Sequence, residues 1–195
     1  MKAGWEDAAG AIGLVLAAYG IASAVWYNGI WYSYFAIGGA LFFGSINSRL
    51  GNRGLFRAFA KNRLRLLALY AIYLLAGIGI ELLGRFALHL WHYPKFGLLD
   101  EVLHIYLISY PFAFFMIHEI FTALRAKFDY AKAFMLAWIG SAFLNEVPNT
   151  RAMEWAYTIP FVKLELLGVN IIVIIGWVIL IGVPLIVEKI LPLEK

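Results

Sequence analysis

The chain contains no cysteine and no glutamine. Without cysteine there are no disulfides, no thiolate metal sites, no iron–sulfur clusters and no thioether-linked haem. The joint loss of two thermolabile residue types points to a thermophilic source. Charge is scarce as well: charged residues make up 14% of the sequence and hydrophobic residues 63%. Soluble domains sit nearer ~25% charged and ~45–50% apolar. A soluble domain of 195 residues cannot hide that much apolar surface, whereas a bilayer accepts it. No linker or low-complexity tract interrupts the chain, so residues 1–195 read as one integral membrane domain. The expected fold is all-α, a polytopic helix bundle in the cell membrane.

Six apolar runs approach or exceed the roughly 17–25 residues a membrane-crossing helix needs. They lie near Ala8–Tyr27, Ile30–Ile46, Leu66–Leu88, Val102–Leu124, Ala131–Val147 and Leu166–Val187. The first is expected to remain as a span, because Met1–Asp7 carries one Lys against two acids and no small-residue cleavage motif follows. Basic residues set the orientation. The second connection holds Arg49, Arg53, Arg57, Lys61, Arg63 and Arg65 with no acid among them, and the fourth adds Arg125, Lys127 and Lys132. By the positive-inside rule both are cytoplasmic, which puts both termini inside. The net charge of +4 is thereby a matter of topology and anionic lipid headgroups. It does not indicate nucleic acid.

Two glutamates stand near the outer ends of apolar runs, and each precedes a Trp-x-Tyr and a proline. Glu81 is followed by Trp91-His92-Tyr93-Pro94, and Asn145-Glu146 by Trp155-Ala156-Tyr157 and Pro160. A carboxylate inside a span is costly and marks a functional site by default. The match suggests a parallel internal repeat, residues 66–124 against 131–187, with a site at the repeat interface. Glu146 and Glu81 are the candidate catalytic residues. Asn145, Asn149, Arg85, Trp91, Tyr93, His104, Trp155 and Tyr157 are the candidate binding residues around them, and Asp100, Glu101 and Glu154 belong to the same outer loops and helix ends. Plainer readings stand beside these. Arg85, four residues after Glu81, faces and neutralises it. The Trp and Tyr residues form an interfacial aromatic belt. Arg151 and Glu154 sit in a wetted loop. Glu146 has no basic residue within four positions in sequence and is the sharper candidate.

Other chemistry is weakly represented. His104 and His118 share the fourth run, fourteen residues apart, which on an α-helix leaves them about 40° from alignment and ~21 Å apart. A pair of b-type haems would need a second helix with matching histidines, and His89 and His92 do not provide one; a single haem held by His104 with His89 or His92 stays open as a minor alternative. His118-Glu119 lacks the second histidine of a zinc protease helix. Glu81-x-x-x-Arg85 and Phe114-x-x-x-His118 resemble two motifs of the CPBP-type intramembrane proteases, but the double glutamate is single here and the third motif is absent. No Gly-x-Ser-x-Gly elbow or P-loop occurs. Nothing in the sequence calls for a cofactor or a metal.

A broader resemblance covers about 50 residues. Ser45-Ile46-Asn47-Ser48-Arg49-Leu50-Gly51 through Leu55, then Gly79-Ile80-Glu81, then Trp91-His92-Tyr93-Pro94, resembles a group of prokaryotic polytopic membrane proteins. These carry an Asn-x-x-x-Gly turn, a span glutamate and a Trp-x-Tyr-x-x-Pro segment. Where that group has Trp-Glu and then Asn, this chain has Ile80-Glu81 and then Gly84, while Asn149, Trp155, Tyr157 and Pro160 follow the pattern more fully. The resemblance implies a membrane class and a site position, and no activity. Three function classes follow from the residues: a lipid- or isoprenoid-active enzyme using Glu146 or Glu81, a lipid or small-molecule carrier, and a structural subunit of a homo-oligomer or membrane complex. Membrane lipids are the expected partners.

Overall fold

A computed structural model describes residues 4–159 and 162–191; Pro160 and Phe161 lie outside the described residues. All six apolar runs are helical. They form α1 (Trp5–Val25), α2 (Trp31–Arg49), α4 (Arg63–Glu81), α6 (Tyr110–Arg125), α7 (Tyr130–Ala152) and α8 (Ile171–Ile190), with short helices α3 (Leu55–Lys61) and α5 (Leu98–Asp100) between them. α4 runs on as a π-helix over Leu82–Ala87, and α5 passes through another over Glu101–Ser109 into α6. Among the described residues, four helices are long and apolar enough to cross a membrane: Trp5–Val25, Arg63–Ala87, Leu98–Arg125 and Ile171–Ile190. α2 and α7 match them in length at 19 and 23 residues but are more polar. Asn47 and Arg49 lie in α2, and Lys132, Asn145, Glu146, Asn149 and Arg151 in α7.

Two boundaries differ from the sequence reading. The last helix begins at Ile171, because Glu165–Leu166 (β3) and Val169–Asn170 (β4) form an antiparallel hairpin. Its two turn residues, Leu167 and Gly168, have φ of 54° and 77°. α7 does not stop before Pro148 but continues to Ala152, where Met153 closes it at φ 52° and donates its N–H to the Asn149 carbonyl at 2.8 Å. A proline removes one helical hydrogen bond without necessarily ending the helix. Asn149 and Arg151 are therefore helical residues.

The helix ending in α6 is the axis of the bundle: its most apolar stretch is 61% buried, against 22–33% for the other three long apolar helices. Phe114, Met116, Ile117, His118 and Glu119 are all within 1% of complete burial. α1 lies outside and packs on α2 through small residues. A Cβ on Gly38 would come within 2.3 Å of the Ala17 backbone nitrogen, and one on Gly13 within 2.7 Å of the Gly38 carbonyl oxygen. Backbones approach this closely in apolar surroundings only where side chains are absent.

Near the basic connections, Glu119 ties three elements together. One carboxylate oxygen accepts the Leu55 N–H at 2.9 Å, and the other accepts from Asn47 Nδ2 at 2.7 Å. The Asn47 amide also donates to the Glu119 carbonyl at 2.8 Å. His118 lies between Glu119 (3.2 Å from Nδ1) and Glu188 of α8 (3.4 Å from Nε2). The buried His118-Glu119 pair thus fastens α6 to α2, α3 and α8.

Gly38→Leu is expected to separate α1 from α2 and cost about 1–3 kcal/mol, the usual range for overpacking. Thermal unfolding in detergent checks this. Gly140→Leu, at a site with nothing within 4 Å of the added Cβ, is the control and should melt like the parent.

Candidate functional site

Glu81 ends the regular part of α4, at the end away from the basic connection, and is fully buried. A carboxylate there needs donors in place of water. It has three, all on Oε1: Trp91 Nε1 at 3.1 Å, the Tyr93 hydroxyl at 2.6 Å and the Tyr110 hydroxyl at 2.7 Å. Two glycines of the same helix make room for them. A Cβ on Gly84 would come within 1.8 Å of the Trp91 indole, and one on Gly77 within 2.5 Å of the Tyr110 ring. Glu81 Oε2 has no hydrogen-bond partner. Arg85 lies 3.9 Å from it, yet makes its two close bonds, at 2.7 and 2.8 Å, to Glu101. The expected neutralisation of Glu81 by Arg85 is therefore minor. Arg85 serves mainly Glu101, and its guanidinium sits 4.9 Å from the centre of the Tyr93 ring. The π-helices carry Arg85 and Glu101 on facing walls, and such widened turns recur at functional sites.

Glu146 of α7 is held in the same manner. It accepts Trp155 Nε1 at 3.1 Å, the Tyr157 hydroxyl at 2.8 Å and Trp177 Nε1, from α8, at 2.8 Å. Both oxygens are engaged, and none of the three partners carries a charge. Asn149 fixes the loop that brings Trp155 back. Its side-chain oxygen accepts the Glu154 N–H at 2.9 Å, and its amide donates to the Trp155 carbonyl at 2.7 Å. Each glutamate thus takes the Trp and the Tyr of its own Trp-x-Tyr and one aromatic donor from the next long helix.

The two Trp-x-Tyr segments also pair with each other. Trp91–His92 (β1) and Ala156–Tyr157 (β2) are antiparallel, with Trp91 opposite Tyr157 and His92 opposite Ala156. Thr158 N–H extends the ladder to the Leu90 carbonyl at 2.8 Å. The polar ends of Trp91, Tyr93, Trp155 and Tyr157 consequently point at buried carboxylates, not at an interface as a belt would.

Beneath this ribbon is a cavity of about 300 Å³. Its walls include Trp91, Tyr93 and Tyr110 from the first group and Glu146, Trp155, Tyr157 and Trp177 from the second. The remaining lining is chiefly Ile, Leu, Val, Ala and Phe. Glu146 is the one charged residue among the described lining residues; Glu81 stands behind its aromatic partners.

Other candidates are placed elsewhere. His104 faces Ser33 Oγ at 3.2 Å and does not line the cavity. Its helix is π-helical at that point, so the 40° relation to His118 does not apply. Asn145 is buried and donates to the Ser141 carbonyl at 2.5 Å, likewise away from the cavity. Glu154 is not in a wetted loop. It is fully buried, and Oε2 accepts the Tyr32 N–H of the first turn of α2 at 3.1 Å while Oε1 has no partner. Burial holds its carboxyl well above the usual 4.5, only partly offset by the Tyr32 N–H and by Lys95. Among the described residues, no group of three or more His, Asp or Glu converges as a metal site.

Tyr110, Trp177 and Ser109 escaped the sequence reading among many aromatic and small residues. Tyr110 follows Glu81 by 29 positions and Trp177 follows Glu146 by 31, so extending the comparison of the two halves into the next helix would have found the first two. A scan against protein-family models, a search of curated proteins and a search of solved structures each returned no match.

Gly84→Ala is expected to push Trp91 off Glu81 and lower stability by about 1–3 kcal/mol. Gly79→Ala, with nothing within 4 Å of its added Cβ, should not. Denaturant titration of both variants checks this. Glu154 gives a pH signature. Its pKa is higher folded than unfolded, so from about 4.5 upward the folded state holds the extra proton and stability falls as pH rises toward the folded value. Glu154→Gln should flatten that slope in melting curves across pH 4–8.

Proposed function

We propose that this chain is a membrane protein of the outer leaflet that takes a lipid- or isoprenoid-type molecule into the cavity beneath β1 and β2 and acts on it through Glu146. In this reading six helices cross the bilayer, both termini lie on the cytoplasmic side, and α4–α6 and α7–α8 form a parallel repeat. The antiparallel pairing of the two Trp-x-Tyr segments and the matched donor sets of Glu81 and Glu146 support the repeat. Two-fold related halves with a site between them are a common plan in membrane proteins.

The observation that carries the proposal is the cavity itself: an apolar chamber with a single carboxyl group on its wall, framed by aromatic faces. Such a group suits proton transfer to or from an apolar substrate, and indole and phenol faces stabilise positive charge that develops nearby. Glu81, screened by Trp91, Tyr93 and Tyr110, serves as a fixed anchor for that wall. A second reading, a purely structural network, is favoured by one fact: each carboxylate accepts three hydrogen bonds from neutral aromatic donors, and in Glu146 these engage both oxygens. A carrier would use the same cavity without chemistry.

Glu146→Gln separates these readings. Gln keeps a carbonyl acceptor for Tyr157 and Trp177 but cannot transfer the proton. An acid–base role predicts a loss of about 10²–10⁴-fold in conversion, with little change in melting temperature. A structural role predicts a stability loss of about 1–3 kcal/mol instead. The readout is mass spectrometry of lipids and small molecules that copurify with parent and variant. The enzyme reading expects an enriched compound with the parent and its unconverted precursor with Glu146→Gln. No enrichment over bulk membrane lipid would sink both enzyme and carrier.

A further inference from the structure

Resting on the cavity-binding reading above, we infer that the ligand is an uncharged, lipid-like hydrocarbon chain bearing one neutral hydrogen-bonding group, which enters sideways from the bilayer between α4 and α8 and is met by Ser109. Three observations carry this inference.

The first is charge. No Lys, Arg or His is among the described residues lining the cavity, and Glu146 contributes the only charge. Nearby cations are already engaged. Arg85 is bidentate to Glu101, and Lys95 donates to the Tyr27 and Ala152 carbonyls. A carboxylate, phosphate or diphosphate headgroup would meet Glu146 with no compensating cation, at a cost that low-dielectric surroundings make severe. The same walls accept a neutral chain without penalty.

The second is the polar inventory. The indole N–H groups of Trp91, Trp155 and Trp177 and the hydroxyls of Tyr93, Tyr110 and Tyr157 already donate to Glu81 or Glu146. Two lining hydroxyls remain, those of Tyr32 and Ser109, and Ser109 Oγ is the one shut off from solvent: it belongs to a cavity-lining residue only 3% exposed and has no hydrogen-bond partner. A buried hydroxyl without a partner is uncommon and costly, and a ligand hydroxyl, ether or carbonyl would satisfy it.

The third is access. Leu83 and Leu88, at the end of α4, and Ile172 and Ile179, on α8, both line the cavity and are exposed on the outer surface of the bundle. In this inference they are the two apolar rims between which the chain enters. Gly176 of α8 lines the cavity between them, and a Cβ there would meet nothing within 4 Å. A volume of about 300 Å³ is at the small end for ligand pockets. It accommodates one end of a long chain, the remainder lying in the lipid.

The test uses one chain with different headgroups. Geranylgeraniol, geranylgeranoic acid and geranylgeranyl diphosphate are titrated at pH 8 into the detergent-solubilised full chain. Quenching of the cavity tryptophans is followed. The alcohol is expected to bind at least tenfold more tightly than the acid or the diphosphate. Ser109→Ala should weaken the alcohol roughly tenfold, the scale of one hydrogen bond, and leave the hydrocarbon squalene unchanged. Gly176→Phe should abolish binding by blocking that entry. Gly182→Phe, also on α8, at a glycine with open space and off the cavity, should not. If the acid or diphosphate binds as well as the alcohol and Gly176→Phe blocks it, the neutral-ligand inference fails while cavity binding stands. If no chain binds, or Gly176→Phe has no effect on binding, the cavity reading fails with it.

Discussion

Placing two carboxylates within an apolar helical bundle is the constraint to which the surrounding structure responds. Water is not available to solvate Glu81 or Glu146, so each is surrounded by fixed aromatic N–H and O–H groups, three apiece. Each set of donors comes partly from the following loop and partly from the next long helix. Satisfying the charge therefore folds the loop back and docks the helix. The glycines at positions 77 and 84 belong to the same solution, because a bulky aromatic ring reaches a helical carboxylate only where the helix surface is flat.

The two sets are alike in plan and unlike in electrostatics. Glu81 has a guanidinium within 3.9 Å, an unbonded second oxygen and a position behind its own aromatic partners. Glu146 has neutral partners only and forms part of the cavity wall. The Glu146 group therefore opens on the cavity, while the Glu81 group stands behind its wall. The π-helical turns at residues 82–87 and 101–109 fall on the Glu81 side, where Arg85 and Glu101 are joined across them.

A second polar lock, at the other end of the bundle, is built on the same physics. Glu119 and His118 are as buried as the two site glutamates, and Glu119 is satisfied by a backbone N–H and an asparagine amide. It holds the turn after α2 and the short α3 against the central helix. The Asn47-x-x-x-Gly51 segment has its reason here: Asn47 bonds Glu119, and Gly51 turns the chain at φ 70°.

By itself the sequence determined the helical class, the six apolar runs and the presence of two glutamates, Glu81 and Glu146, within them. Those properties follow from composition, run length and the cost of a charge in an apolar stretch, all of them local. It also held the Trp-x-Tyr match, though only as a spacing. Tertiary structure alone decided that the two segments pair as strands, that Tyr110 and Trp177 complete the donor sets, and that Arg85 turns to Glu101. It likewise buried Glu154 and left His104 and Asn145 away from the cavity. These outcomes depend on which faces of distant helices meet. That is set by close packing at Gly13, Gly38, Gly77 and Gly84, and no periodicity along a single helix encodes it.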